Sequence, residues 1–239
     1  SDDFFKLWAA EKVYHGAPYI IGQHGGNYGT AKFVPNSNIE KFEIDVSDRY
    51  LTWGWKQNIS KCYPAMALNM SGKRTVKSNP NGGAVLIQLN RDLRDTTWDE
   101  TFFYKQYLNN QFSFVSNLPV NLQERLTIRL HGASNRLGWS EDKLWLDKFS
   151  SIDLDYGKEN IKKLIKKNRL IIHSYNSTGI LELLAYDIPT IFFWDINCWP
   201  IRNEALPYYE KLIDVGVFHL SPESAAYKVK EVWDDLDCW

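Results

Sequence analysis

Cysteine is scarce in this chain. Cys62, Cys198 and Cys238 stand far apart with no C-x-x-C pair, which argues against a disulfide-stapled scaffold and against a structural zinc site, and fits a reducing, cytoplasmic setting. An excess of either charge is lacking too. With 28 Lys and Arg against 29 Asp and Glu, the net charge of -1 exerts no long-range pull on nucleic acid or on an anionic membrane. No nucleic-acid partner is expected, membrane association is peripheral at most, and any anionic ligand must be held by a local site. No apolar run approaches the roughly 20 residues that span a bilayer, and no signal-peptide pattern opens the chain, so it reads as soluble. G-x-G-x-x-G is absent after the strand-like runs, which argues against a nicotinamide or flavin site, and there is no G-x-S-x-G elbow. "DLD" occurs at 153–155 and at 235–237, on a strand-like run and at a helix end, and both read as chance rather than as a D-x-D metal motif. No metal or other cofactor is expected.

What is present is a chain of 239 residues, enough for one large α/β domain or for one domain and part of another. Aromatic residues make up 15%, with ten tryptophans, more than an ordinary core needs; such rings fill cores and also stack on sugars. The opening Ser1 and the closing tryptophan-bearing helical segment give the expectation of a fragment of a longer protein.

Residues 1–70 hold an amphipathic opening, the strand "PYIIGQ", a glycine cluster and the strand-like "FEIDVSDRYLTWGW", read as the end of a unit that begins upstream. The small, basic and turn-forming "SGKRTVKSNPNGG" marks a boundary. From 71 to 239 strands and helices alternate: "AVLIQL", a helix near 99–116, "LTIRL", a helix near 140–149, "SIDL", the helix "KENIKKLIKKN", "LIIHS", a helix opening at "NSTGILELLAY", "PTIFFW", the helix "NEALPYYEKLIDVG", "VFHL" and a last helix opened by "SPES". Alternation of this kind predicts βαβ units: an α/β, Rossmann-like parallel sheet flanked by helices.

Ligands in such sheets lie beyond the carboxyl ends of the strands. "HSYNSTG" (His173 to Gly179) runs from a buried strand into a helix, so the amides around Ser177, Thr178 and Gly179 either form an anion site or are simply capped by Asn176 or Ser177. Arg129, with His131 and Arg136 nearby, and the pair Arg91 and Arg94 could surround phosphate oxygens, or could pair with neighbouring carboxylates such as Asp92 and Asp95. Glu182, one turn into the helix, could accept bonds from sugar or ribose hydroxyls, or be an ordinary helix carboxylate. In "YIIGQHGGNYG", Gly25 and Gly26 suit either a tight turn or a close approach to a ligand, with His24 beside them.

"GQHGGNYG", Glu43 ahead of "SDRYLTWGW", "HSYNSTGILELLAYDIPTIFFW" and "RNEALPYYEKLIDVGVFH" together resemble a family of bacterial transferases linked to surface-carbohydrate biosynthesis, with a GT-B glycosyltransferase fold. More distantly they are similar to transferases of Kdo and other CMP-activated acidic sugars. The resemblance implies that 71–239 is the carboxyl-terminal, nucleotide-sugar-binding half and that 1–70 closes the acceptor-side domain and links the two. It assigns His24 and Glu43 to catalysis in the interdomain cleft. It also assigns Gly25, Gly26, Arg91, Arg129, His173, Ser174, Asn176, Ser177, Thr178, Gly179, Glu182 and Arg202 to the donor. The implied partners are a nucleotide-sugar donor, in one version a CMP-linked acidic sugar, and a glycan or lipid-linked acceptor, met in the cytoplasm or at the inner face of the membrane. A non-catalytic binding half and a nucleotide-sugar epimerase are the alternatives.

Overall fold

The computed structural model describes residues 2–32, 38–56, 59–67, 70–72, 77–89, 98–132, 140–236 and 238–239, with the backbone alone at 38–39 and 98–103. The chain divides into two compact units, Ser1–Gly29 with Phe33–Lys73, and Thr30–Lys32 with Arg74–Trp239.

The first unit opens with α1 (Asp3–Tyr14), whose first turn is capped by the Asp2 carboxylate accepting from the Phe4 and Phe5 amides. Its apolar residues do not form one buried stripe: Phe4, Leu7 and Tyr14 are exposed and Ala9 is buried, so the expected amphipathic face is not built. Strands β1 (Ile20–Gly22), β2 (Arg49–Thr52) and β3 (Cys62–Pro64) form a parallel sheet in that order. Parallel neighbours cannot be joined by a hairpin and require a crossover. Between β1 and β2 that crossover is α2 (Asn38–Val46), so "FEIDV", expected as part of a strand, is helical. Ile44 of α2 packs on Tyr50 and Cys62, with Ile21 and Trp55 against them.

The second unit is a six-stranded parallel sheet built from β4 (Ala84–Ile87), β5 (Leu126–Arg129), β6 (Asp153–Asp155), β7 (Leu170–His173), β8 (Thr190–Phe193) and β9 (Phe218–His219). The helices are α3 (Trp98–Ser116), the single turn α4 (Val120–Gln123), α5 (Glu141–Lys148), α6 (Ile161–Lys167), α7 (Thr178–Ala185), α8 (Leu206–Asp214) and α9 (Pro222–Val232). Apart from α4, each of these elements matches a segment read from the sequence. The spatial order β6-β5-β4-β7-β8-β9 starts in the middle, steps outward to one edge, then returns and steps to the other. That is the doubly wound, Rossmann-like arrangement, with its switch point between β4 and β7.

Side chains alternate across these strands. Leu86, Ile128, Ile172 and Phe193 face Phe114 and Val115 of α3 and Ala225 and Val229 of α9, whereas Val85 and Ile171 face Leu164 and Ile165 of α6 and Leu183 of α7. Coverage on both sides is why "LIIH" and "TIFF" are buried at every position and read as unbroken apolar runs. Among the described residues, no helix is long and apolar enough to cross a membrane.

Candidate active site

At the switch point the residues after β4 and β7 are tied together by α3. The Tyr107 hydroxyl accepts the Leu89 amide proton at 2.7 Å and the Ser174 hydroxyl donates to it at 3.4 Å. Burial pushes the Tyr107 phenol well above its usual value, so it remains protonated. Tyr175 and Trp199 meet its ring edge-on. Ser174, expected at the donor, is buried and bonded to Tyr107 instead. Beside it the Gln88 amide donates to Gln111 Oε1 at 3.0 Å, which leaves Gln88 Oε1 and Gln111 Nε2 buried without a partner.

His173 ends β7 with its ring buried and unable to be solvated as a cation, which lowers its pKa to about 3. Its Nδ1 lies 3.1 Å from the Ser177 hydroxyl, and its Nε2 has no partner. Ser177 occupies the N-cap of α7 in extended backbone but makes no side-chain cap bond. Its hydroxyl is instead engaged by His173, and burial raises the nearby Tyr175 phenol to about 12, opposed by Ser177. Asn176, also buried, leaves Nδ2 without a partner. The start of α7 at the carboxyl edge of the sheet therefore combines an uncapped positive helix end with unsatisfied buried polar groups, an arrangement suited to an anion.

Three of the expected donor contacts are placed differently. Gly179 was expected to open space for a ligand, but a Cβ there would lie 3.0 Å from His173 Cε1 and 3.3 Å from Nε2, so the glycine makes room for the imidazole. Arg129 was expected to hold phosphate. It is paired with Asp155 on the adjacent strand at 2.5 Å, both side chains mostly buried, so its charge is already neutralised. Arg202 donates from Nε to the Ala31 carbonyl and from its backbone to that of Thr30, holding the 30–32 segment beside Ile201. Thr178 opens α7, and Glu182 is half-buried one turn later. His131 is exposed beyond β5. Arg91, Arg94 and Arg136 lie outside the described residues. Of the two "DLD" stretches, 153–155 forms β6, where Asp153 accepts from the Thr127 hydroxyl at 2.6 Å and Asp155 holds Arg129. Among the described residues, no three His, Cys, Asp or Glu side chains cluster to hold a metal ion.

The first unit carries a second cluster at the carboxyl edge of its own sheet. Gln23 organises it: Nε2 donates to the Gly25 carbonyl at 2.7 Å, while Oε1 accepts from the Trp53 amide at 2.9 Å and from Trp55 Nε1 at 2.7 Å. Gly26 is buried and Gly25 half-buried in the turn so formed. Gly29 closes it at φ +74°, where a Cβ would strike the Trp55 ring at 2.4 Å. His24 projects from this turn with 63% of its side chain exposed, Glu43 of α2 lying 3.7 Å from Nδ1 and the Tyr28 hydroxyl 3.1 Å from Nε2. Tyr50 donates to Glu43 at 3.5 Å. Burial raises the Glu43 pKa, opposed by His24 and the Tyr50 bond and reinforced by nearby Glu40. Burial together with the charges of Glu43 and Glu40 pushes Tyr28 up to about 12. His24 is thus an accessible imidazole with a carboxylate near one nitrogen and a phenol hydroxyl at the other.

His24 and Glu43 lie in one cluster, and His173, Ser177 and Gly179 in another. Tyr107, Gln88, Tyr175, Tyr28, Tyr50 and Gln23 were missed. Tyr28 could have been found, since it stands four residues from His24 inside the same short turn.

The profile described as LIC12162 family transferase matches residues 1–239, and the chain belongs to that family. No curated protein matches it.

Proposed function

We propose that this transferase is a GT-B type glycosyltransferase that moves a sugar from a nucleotide-activated donor to a hydroxyl of a glycan or lipid-linked acceptor. The observation that carries the reading is the start of α7: Ser177 is turned from its capping position to His173, while Asn176 Nδ2 and His173 Nε2 remain buried and unpartnered beside it. Donor phosphate at this end of the helix would meet first-turn amides and the positive end of the dipole.

In the transfer, the acceptor oxygen forms a bond to the anomeric carbon as the bond from that carbon to the phosphate oxygen breaks. The leaving phosphate keeps the electron pair, and its growing charge is stabilised by the α7 amides. The acceptor proton passes to a general base, for which His24 is the candidate in the first unit, its Nδ1 3.7 Å from the Glu43 carboxylate that would stabilise an imidazolium. A CMP-linked acidic sugar is one donor of this class, and a surface glycan built at the inner face of the membrane is the proposed acceptor.

The test is incubation with CMP-, UDP-, GDP- and dTDP-linked sugars, with and without glycan or lipid-linked acceptors, following nucleotide release and product mass. Acceptor-dependent release of nucleotide supports transfer. An altered sugar formed without acceptor would indicate an epimerase, and binding without turnover a non-catalytic half.

A further inference from the structure

A cavity of about 480 Å³ opens beyond the ends of β4, β5 and β6, walled by Ile87, Gln88, Leu130, Gly132, Gly157 and Tyr175. Its volume is in the range that takes a small organic ligand. The charge of its walls says which kind. Arg129 and His131 also line the cavity, and Arg129 is paired with Asp155 at 2.5 Å, so its charge is already offset. An uncharged group fits better. Ile87 supplies apolar surface, and Tyr175 an aromatic ring for contact with a flat ligand.

One polar feature in this wall lacks an internal explanation. Gln88 is 3% exposed, and while its Nε2 donates to Gln111 its Oε1 has no hydrogen-bond partner. A buried amide atom left unpaired costs about 1–3 kcal/mol unless something else satisfies it. Turning both glutamine amides over would exchange donor for acceptor, but one polar atom of Gln88 would still await a partner. A planar ring with hydrogen-bonding groups on its edge and apolar faces supplies both what Gln88 lacks and what Tyr175 offers.

The cavity also adjoins the start of α7, because Tyr175, which lines it, stands two residues before Ser177, the N-cap of that helix. We infer that the cavity is the nucleoside subsite of the donor, with the base between Tyr175 and Gln88 and the phosphates directed to α7. The assignment rests on the nucleotide-sugar reading and removes Arg129 from the phosphates.

Free nucleosides test it, since they carry the base without phosphate or sugar. Adenosine, guanosine, cytidine, uridine and thymidine are titrated into the protein and followed by ligand-observed NMR, with inorganic pyrophosphate as a separate probe. The expected result is that one nucleoside binds at about millimolar concentration, and that Gln88→Leu and Tyr175→Leu each weaken it about tenfold, or 1.4 kcal/mol, with pyrophosphate binding unchanged in Gln88→Leu. Two variants are used because Gln88→Leu also breaks the bond to Gln111. If no nucleoside binds, or if neither folded variant changes the affinity, the assignment is overturned. The two readings fail separately: a nucleotide sugar that binds and is turned over while nucleosides ignore the cavity keeps glycosyl transfer and moves the base elsewhere. Nucleoside binding sensitive to both variants, without turnover of any donor, keeps the subsite and removes the transfer reading.

Discussion

The Ser177 hydroxyl lies 3.1 Å from His173 Nδ1. A serine at an N-cap ordinarily accepts from the helix's own first turn. Here a histidine four residues earlier, buried at the end of β7, holds that hydroxyl, and α7 starts without a side-chain cap. The same histidine occupies the space that Gly179 leaves. Strand end, loop and helix start thus form one packed unit that leaves His173 Nε2 and Asn176 Nδ2 buried and unpartnered.

Burial of His173 makes stability depend on pH. Its folded-state pKa is about 3 against about 6.5 for a free histidine. As pH falls below about 6.5 the unfolded chain binds a proton that the native state refuses. Stability is therefore full above that pH and falls by about 1.4 kcal/mol per unit as pH drops toward the folded value. His219, also lowered by burial, adds in the same direction. Urea unfolding at pH 7, 6 and 5 should show a shallower loss for His173→Phe than for the wild type, and equal losses would contradict the assignment.

Asn176→Leu separates stability from binding. Nδ2 is buried and unpartnered, so replacing it with an apolar side chain of similar size is expected to leave stability unchanged or raised. Donor affinity should fall about tenfold if this amide meets phosphate. Thermal unfolding without ligand and calorimetry with the donor read the two effects independently.

Much of this was legible in the sequence, for definable reasons. The strands of the second unit are buried on both faces and appear as apolar runs between helices, so the alternation specifies the sheet. "FEIDV" misled because its alternating apolar residues suit a strand, whereas the parallel pairing of β1 and β2 requires a helix between them. The Arg129 pairing was invisible because Asp155 is adjacent through strand register, not through sequence. Tyr107 sits among other aromatic residues in "FFYKQYLNNQFSF", and nothing there marks the one whose hydroxyl spans two loops.

Tyr107→Phe should loosen that span. It removes the acceptor of the Leu89 amide and leaves a part-buried donor unpaired, at a cost of about 1–3 kcal/mol. Denaturant midpoints should shift accordingly, and donor binding should weaken further than unfolding alone explains. Wild-type affinity in a destabilised variant would confine Tyr107 to a structural role.

His24 and Glu43 make a kinetic prediction. His24→Ala should reduce transfer about 10²-fold or more if His24 is the proton acceptor. Glu43→Gln, which keeps the shape but removes the charge opposite Nδ1, should cost about tenfold in kcat with little change in donor affinity. Near-normal turnover of His24→Ala would make the residue part of the turn and nothing more.

The central claim, that α7 receives the donor phosphates, is tested most directly by calorimetric titration of CMP-, UDP-, GDP- and dTDP-linked sugars into the wild type and Asn176→Leu. The account predicts that one nucleotide class binds, with affinity about tenfold weaker in the variant and folding intact. No binding by any class, or equal binding in both proteins, would contradict it.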